Sequence, residues 1–186
     1  MTPSTQATAL TVHPDQLAEL LFAASQDVFT SMLGCEIQRS SEPLSEHMPC
    51  FDGVLAMIGL AGPIIGNGAL LCSADSARDM SARLLLCEFP SVDEQVLDAV
   101  GEIANMIIGG FKNLLEETTG PLQMSIPSVV YGKNLAARNC HAAIRGGVNC
   151  TFGGGPLQLR VRLAPAPDIQ SEHYKRYKQG PEIRYY

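Results

Sequence analysis

Basic residues are scarce. Thirteen lysines and arginines stand against 19 aspartates and glutamates, for a net charge of −6. No cluster of them precedes the C-terminal tail. Phosphate backbones are held by concentrated Lys and Arg, so nucleic acid is not an expected partner, and a protein with a basic rim suits the chain better. Cys-x-x-Cys pairs are missing too. Cys35, Cys50, Cys72, Cys87, Cys140 and Cys150 are scattered, without the spacing of a structural zinc site. His47 with Cys50, and Cys140 beside His141, are the only local pairs. Small residues on strands and helices explain them more simply than metal binding, so no metal is expected. The opening "MTPSTQATALTVHPDQ" lacks the charged and apolar regions of a secretory signal, which points to free thiols and a cytoplasmic location. Long uncharged runs are rare. Residues 53–74 could span a bilayer by length, but they hold five glycines, Pro63 and Asn67. Two buried strands with a turn are the expectation there, and no membrane partner.

What remains is globular. Charged residues make up only 17% and apolar ones 46%, which is enough for one core in a chain of 186 residues. Three segments are expected: an N-terminal extension over 1–12, one domain over 13–163, and a tail over 164–186. The tail is rich in proline, charge and tyrosine, and its Lys175, Arg176 and Lys178 are read as solvated.

Within the domain, residues 13–33 carry Leu17, Leu20, Leu21, Ala24, Val28 and Met32 at helical spacing. Pro14 and Asp15 suit the start of that helix and Gly34 its stop. A short strand and a loop follow over 35–50. Residues 53–62 and 67–73 read as paired strands joined through Gly62, Pro63 and Gly66. They are nearly all apolar, so both sheet faces are expected to be covered, or one to meet a partner subunit. Residues 73–86 are a second helix, with Ser73 or Asp75 as cap. Residues 91–120 are the longest helix, with Ser91 as cap and Glu94 completing a capping box. Three β segments close the domain, at 122–132, 141–152 and 156–163. "FGGGP" between the last two is a turn, since no helix follows to make it a phosphate loop.

The long helix carries the unusual feature. Steps of about 100° bring Asp98, Glu102, Asn105 and Gly109 into one strip, with Glu94 and Lys112 at its edge. Val96, Leu97, Val100, Ala104, Ile107, Ile108 and Phe111 fall on the other side, the expected core face. A solvated face is the plain explanation. Two details weigh against it. Asparagine is a poor mid-helix residue, and Gly109 and Gly110 cost roughly 1 kcal/mol each in a helix interior. A missing side chain at Gly109 leaves room for another molecule to approach Asn105. Glu102 can accept hydrogen bonds from a cation. Asn105 offers a donor and an acceptor but no useful proton, so it can position a water rather than act as a base.

The pattern Asp98-xxx-Glu102-xx-Asn105, followed by Pro127, resembles the signature of the CheC/CheX/FliY chemotaxis phosphatases. "DVFTSMLG" (27–34), "IGLAGPIIGNGALL" (58–71), "DAVGEIANMIIGGFKN" (98–113) and "IPSVVYGKN" (126–134) are similar to CheX in particular and occur in CheX-like order. The resemblance implies an α+β fold, with three helices packed on a mostly antiparallel six-stranded sheet and the long helix carrying the site. It implies a phosphatase acting on the aspartyl phosphate of a CheY-type response regulator. It implies that the chain needs no cofactor of its own, because the Mg²⁺ would belong to the regulator. Asn105 would orient the attacking water and Glu102 would pair with a lysine of the regulator. Asp98 would support the strip, and Pro127 would fix the strand beside it. The first helix reads Asp15-xxx-Glu19-xx-Phe22, a second copy in which phenylalanine replaces the amide, so one working strip per chain is implied. So is a homodimer joined through sheet edges. The alternative is a non-catalytic adaptor of the same fold that binds a receiver domain or a flagellar switch partner. A scaffold with no receiver partner would leave the strip unexplained.

Overall fold

In the computed structural model, residues 12–45, 50–137, 144–153 and 155–166 are described. Helix α1 (Pro14–Met32) is followed by β1 (Gln38–Arg39), β2 (Phe51–Ala61), β3 (Ile64–Cys72), α2 (Ala74–Leu85) and α3 (Glu94–Thr119). Then come β4 (Gln123–Met124), β5 (Ser128–Leu135), β6 (Ile144–Phe152) and β7 (Gly155–Pro165). The strands form one sheet in the order β1-β6-β7-β3-β2-β4, with β5 also on β2, and every pairing is antiparallel. The expected α+β architecture is present, with seven strands in place of six. The extra strand arises because segment 122–132 breaks at Ser125-Ile126-Pro127. Proline has no N–H for the ladder, so the pairing with β2 stops at Met124 and resumes at Ser128.

Local chemistry sets the helix ends. Gly34 takes a left-handed φ of +62° after α1, and the N–H of Cys35 turns back to the carbonyl of Phe29 at 3.1 Å. Ser73 caps α2, its Oγ accepting from the N–H of Ser76 at 3.1 Å. The paired strands over 53–74 appear as β2 and β3, but Gly66 lies inside β3 opposite Leu163 rather than in the turn. No helix among the described residues is long and apolar enough to cross a membrane.

The three helices cover one face of the sheet. Leu17 and Leu21 of α1, Ala77 and Met80 of α2, and Ile103, Ile107 and Ile108 of α3 join Val54, Ile58, Leu70, Leu159 and Val161 in one buried cluster. Alternation along the strands builds it: Leu157, Leu159, Val161 and Leu163 of β7 all point inward. The opposite face holds a smaller cluster of Leu55, Ala69 and Leu71 with Phe51, Met57 and Ala137 packed against it. Two helix contacts are close. A β-carbon at Gly68 would stand 2.4 Å from Ile108 Cδ1, and one at Gly110 would stand 3.3 Å from Ala24 Cβ. The first seats α3 low on the sheet, and the second lets α1 and α3 approach nearly backbone to backbone.

Candidate functional site: a polar strip on the long helix

Helix α3 starts at Glu94, capped by Asp93, whose carboxylate accepts from the N–H of Val96 at 3.0 Å. This corrects the expected cap at Ser91. Asp93 directly precedes the first turn and satisfies its free donor, so Ser91 is left two residues upstream and Glu94 becomes the first helical residue. At the other end Gly120 takes φ +83°, and its N–H donates to the carbonyl of Glu116 at 2.9 Å.

The buried side of α3 includes Val96, Val100, Ile103, Ala104, Ile107, Ile108, Phe111 and Leu115, so the core face lies where helical periodicity predicts it. The opposite side carries the strip. Asp98 and Glu102 are exposed, while Asn105 and Gly109 are half-buried. None of the Asp98, Glu102 and Asn105 side chains makes a hydrogen bond or ion pair with the described residues. Lys112, at the strip's edge, does not neutralise Glu102. Its Nζ lies 2.9 Å from Oε1 of Glu116, and the same oxygen accepts from the N–H of Leu122 at 2.5 Å. Those contacts, the Leu122 bond above all, hold the Glu116 carboxyl below its ordinary pKa and tie the end of α3 to the chain entering β4.

Strands β4 and β5 border the strip. A β-carbon at Gly101 would lie 3.2 Å from Val129 Cγ2 and 3.7 Å from Pro127 Cβ. One at Gly109 would lie 3.9 Å from Met124 Sδ. Pro127 is therefore brought against α3 one residue before Glu102, and the outer strand runs alongside the whole strip. Gly101 is a packing residue that sequence reasoning missed, and its signal was a mid-helix glycine next to the acid. Gly110, expected to matter with Gly109, belongs instead to the crossing with α1. Ser125 and Ile126 were missed as well. They form the break between β4 and β5, and a proline just after an apolar residue was the available clue.

The matching positions on α1 are closed. Arg39 Nη1 lies 2.6 Å from Glu19 Oε1, and its guanidinium stacks 4.5 Å from the centre of the Phe22 ring. The hydrogen bond from Arg39 holds the Glu19 carboxyl below its ordinary pKa. One helix thus carries an acid already served by a cation of the chain, over an aromatic ring. The other carries an acid and an amide with no partner among the described residues.

Five described cysteines, Cys35, Cys50, Cys72, Cys87 and Cys150, carry free thiols. His47, Cys140 and His141 lie outside the described residues, as do Lys175, Arg176 and Lys178 of the tail. No group of three or more His, Cys, Asp or Glu side chains able to hold a metal occurs among the described residues.

Comparisons with known proteins identify the fold and the family. The family model for chemotaxis phosphatase CheX matches residues 54–151, which include α3 and its strip. The CheY-P phosphatase CheX of Thermotoga maritima is 25% identical over 125 residues, covering 67% of this chain and 81% of that protein. Among solved structures, chemotaxis protein CheX from Vibrio vulnificus has a TM-score of 0.71 at 23% identity, covering 80% of this chain and 99% of its own. CheX in the CheX–CheY–BeF₃–Mg²⁺ complex from Borrelia burgdorferi has a TM-score of 0.68 at 22% identity, covering 78% and 96%. With a shared fold and more than half of its length matched to the family model, the chain belongs to the CheX family of chemotaxis phosphatases.

Proposed function

We propose that the protein hydrolyses the aspartyl phosphate of a CheY-type response regulator, with the α3 strip as its working surface. The carrying observation is the contrast between the helices. Glu102 and Asn105 stand without partners among the described residues, whereas Glu19 and Phe22 are closed by Arg39. An exposed carboxylate and a half-buried amide, both unpartnered among the described residues, on the side of a helix opposite its buried face are placed to meet another molecule. The Thermotoga relative, named a CheY-P phosphatase, and the complex of a Borrelia relative with CheY indicate the class of that molecule.

The chemistry asks little of this chain. The acyl phosphate is already activated, and the phosphate with its Mg²⁺ belongs to the regulator. Asn105 holds a water in line with the phosphorus. The water's oxygen forms the new P–O bond as the bond to the aspartyl oxygen breaks, the aspartate leaves as carboxylate, and the proton passes to phosphate or solvent. Positioning of this kind supplies several kcal/mol without a general base. Glu102 pairs with a cationic side chain of the regulator, Asp98 reinforces the acidic strip, and Pro127 holds the bordering strand against α3. Gly109 leaves room for the regulator's approach. β5 lies at the sheet edge with Val130 and Tyr131 exposed, and a second copy joined there would form a homodimer.

The test is phosphate release from a panel of Mg²⁺-loaded receiver domains charged with acetyl phosphate. Wild type is expected to accelerate release from at least one. Asn105→Ala is expected to lose roughly a hundredfold in rate while keeping its melting temperature. Binding without acceleration on any receiver would turn the reading to an adaptor.

A further inference from the structure

Ile126 is an apolar side chain held in water, 86% exposed beside a polar strip. The β2 ladder explains how. β2 pairs with β4 through Leu60↔Met124 and with β5 through Met57↔Ser128. Between these pairs, residues 125, 126 and 127 of the outer strand stand against residues 58 and 59 of β2. The outer strand therefore has one residue more, which is a β-bulge. Ser125 fixes its shape. Its N–H donates to the carbonyl of Gly59 at 3.0 Å, and its Oγ accepts from the N–H of Gly59 at 2.8 Å while donating to the carbonyl of Ile126 at 2.8 Å. Pro127 follows with no N–H to give. The extrusion of Ile126 is built in, and the fold gains nothing from its side chain.

The bulge stands level with the middle of the strip. Met124, on one side of it, meets Gly109, and Pro127, on the other, meets Gly101. Asn105 lies four residues from each glycine along α3. The exposed isoleucine thus falls between the same two contacts that bracket Asn105 along α3.

We propose that Ile126 is the apolar footing on which the receiver domain of the response regulator seats itself against the strip. The inference rests on the phosphatase reading above. The occupant follows from continuity and shape. The strip offers carboxylates and an amide but no apolar area, and desolvating the reaction needs apolar contact around it. Ile126 stands out from the bulge with 86% of its surface exposed, so it suits a depression in a protein surface rather than a small ligand. Ile126 touches the receiver and not the reacting atoms, so it is a positioning residue that acts on affinity.

The experiment compares wild type, Ile126→Ser, Ile126→Leu and Asn105→Ala on the receiver that wild type dephosphorylates. It reads kcat, KM and the Kd for the beryllofluoride–Mg²⁺ form of that receiver. Ile126→Ser is expected to weaken Kd and raise KM about tenfold, with kcat within about twofold and an unchanged melting temperature. Ile126→Leu is expected to stay close to wild type. If wild type is active and Ile126→Ser shows the same Kd and KM, or a fall in kcat alone, the proposal is overturned while the phosphatase reading stands. If wild type accelerates no receiver, the phosphatase reading fails and this proposal falls with it.

Discussion

Lys112 and Glu102 occupy the same side of α3, yet the lysine is committed to Glu116. At the level of single residues this commitment keeps the strip acidic. Replacing Glu102 by Gln should therefore raise KM for the regulator several-fold with a smaller change in kcat, because a neutral amide attracts a cation less. Lys112→Ala should leave KM nearly unchanged and lower stability only slightly, read by denaturant unfolding. The thiols make a second residue-scale case. Burial pushes Cys72 up to about 12 and Cys150 up to about 11, while Cys50 and Cys87 are exposed. In the folded protein at pH 8, a chromogenic disulfide reagent should modify Cys50 and Cys87 quickly, with Cys72 and Cys150 reacting only after denaturation. Fast labelling of Cys72 would contradict the packing of β3 against the helices.

Helix α3 was legible in the sequence because its two faces differ so sharply. The apolar positions predicted for the core are buried except Leu97, which is half-buried at the boundary, and the structure adds Ala99, Ile103 and Leu115 to them. Its adjacent glycines were not separable. Periodicity places Gly109 and Gly110 on different faces but says nothing of their neighbours. The structure sets one against Met124 with room for a methyl and the other against Ala24 with little. Their substitutions should diverge. Gly109→Ala is expected to raise stability by roughly 0.5–1 kcal/mol through helix propensity, and to weaken dephosphorylation if the regulator uses that gap. Gly110→Val should cost about 1–3 kcal/mol by forcing α1 and α3 apart, whatever the substrate. Thermal melts and phosphate release on the two variants separate packing from docking. The β4–β5 break lay beyond sequence reasoning for a related cause. An alternating segment with a proline reads as one interrupted strand, and only the register against β2 shows that a residue has been inserted.

Across the whole molecule, three helices on a mostly antiparallel sheet were expected from the sequence and the resemblance it carries, whereas the strand order, the strand count and the quaternary arrangement depend on pairings between segments far apart in the chain. β7 illustrates this. The alternation from Leu157 to Leu163 predicted it, but pairing with Ile64 and Ile65 carries it to Pro165. If two copies join through the β5 edges, lysines at Val130 and Tyr131 should shift the species seen by light scattering from dimer to monomer, with the single-chain fold kept by circular dichroism. A wild type that stays monomeric at high micromolar concentration would rule that edge out.

The clasp on the first helix has a consequence for how such a chain changes over generations. Arg39 sits in β1, the short outermost strand, and reaches Glu19 and Phe22 on α1. The contacts that cover these positions of the first helix also fasten one end of the sheet to it. Phe22→Asn together with loss of the arginine would uncover that face of the helix, but it would also unfasten that end. Exposure of the α1 face and firmness of the outermost strand are thus exchanged against each other, so any sequence change that opens the first helix meets a stability barrier.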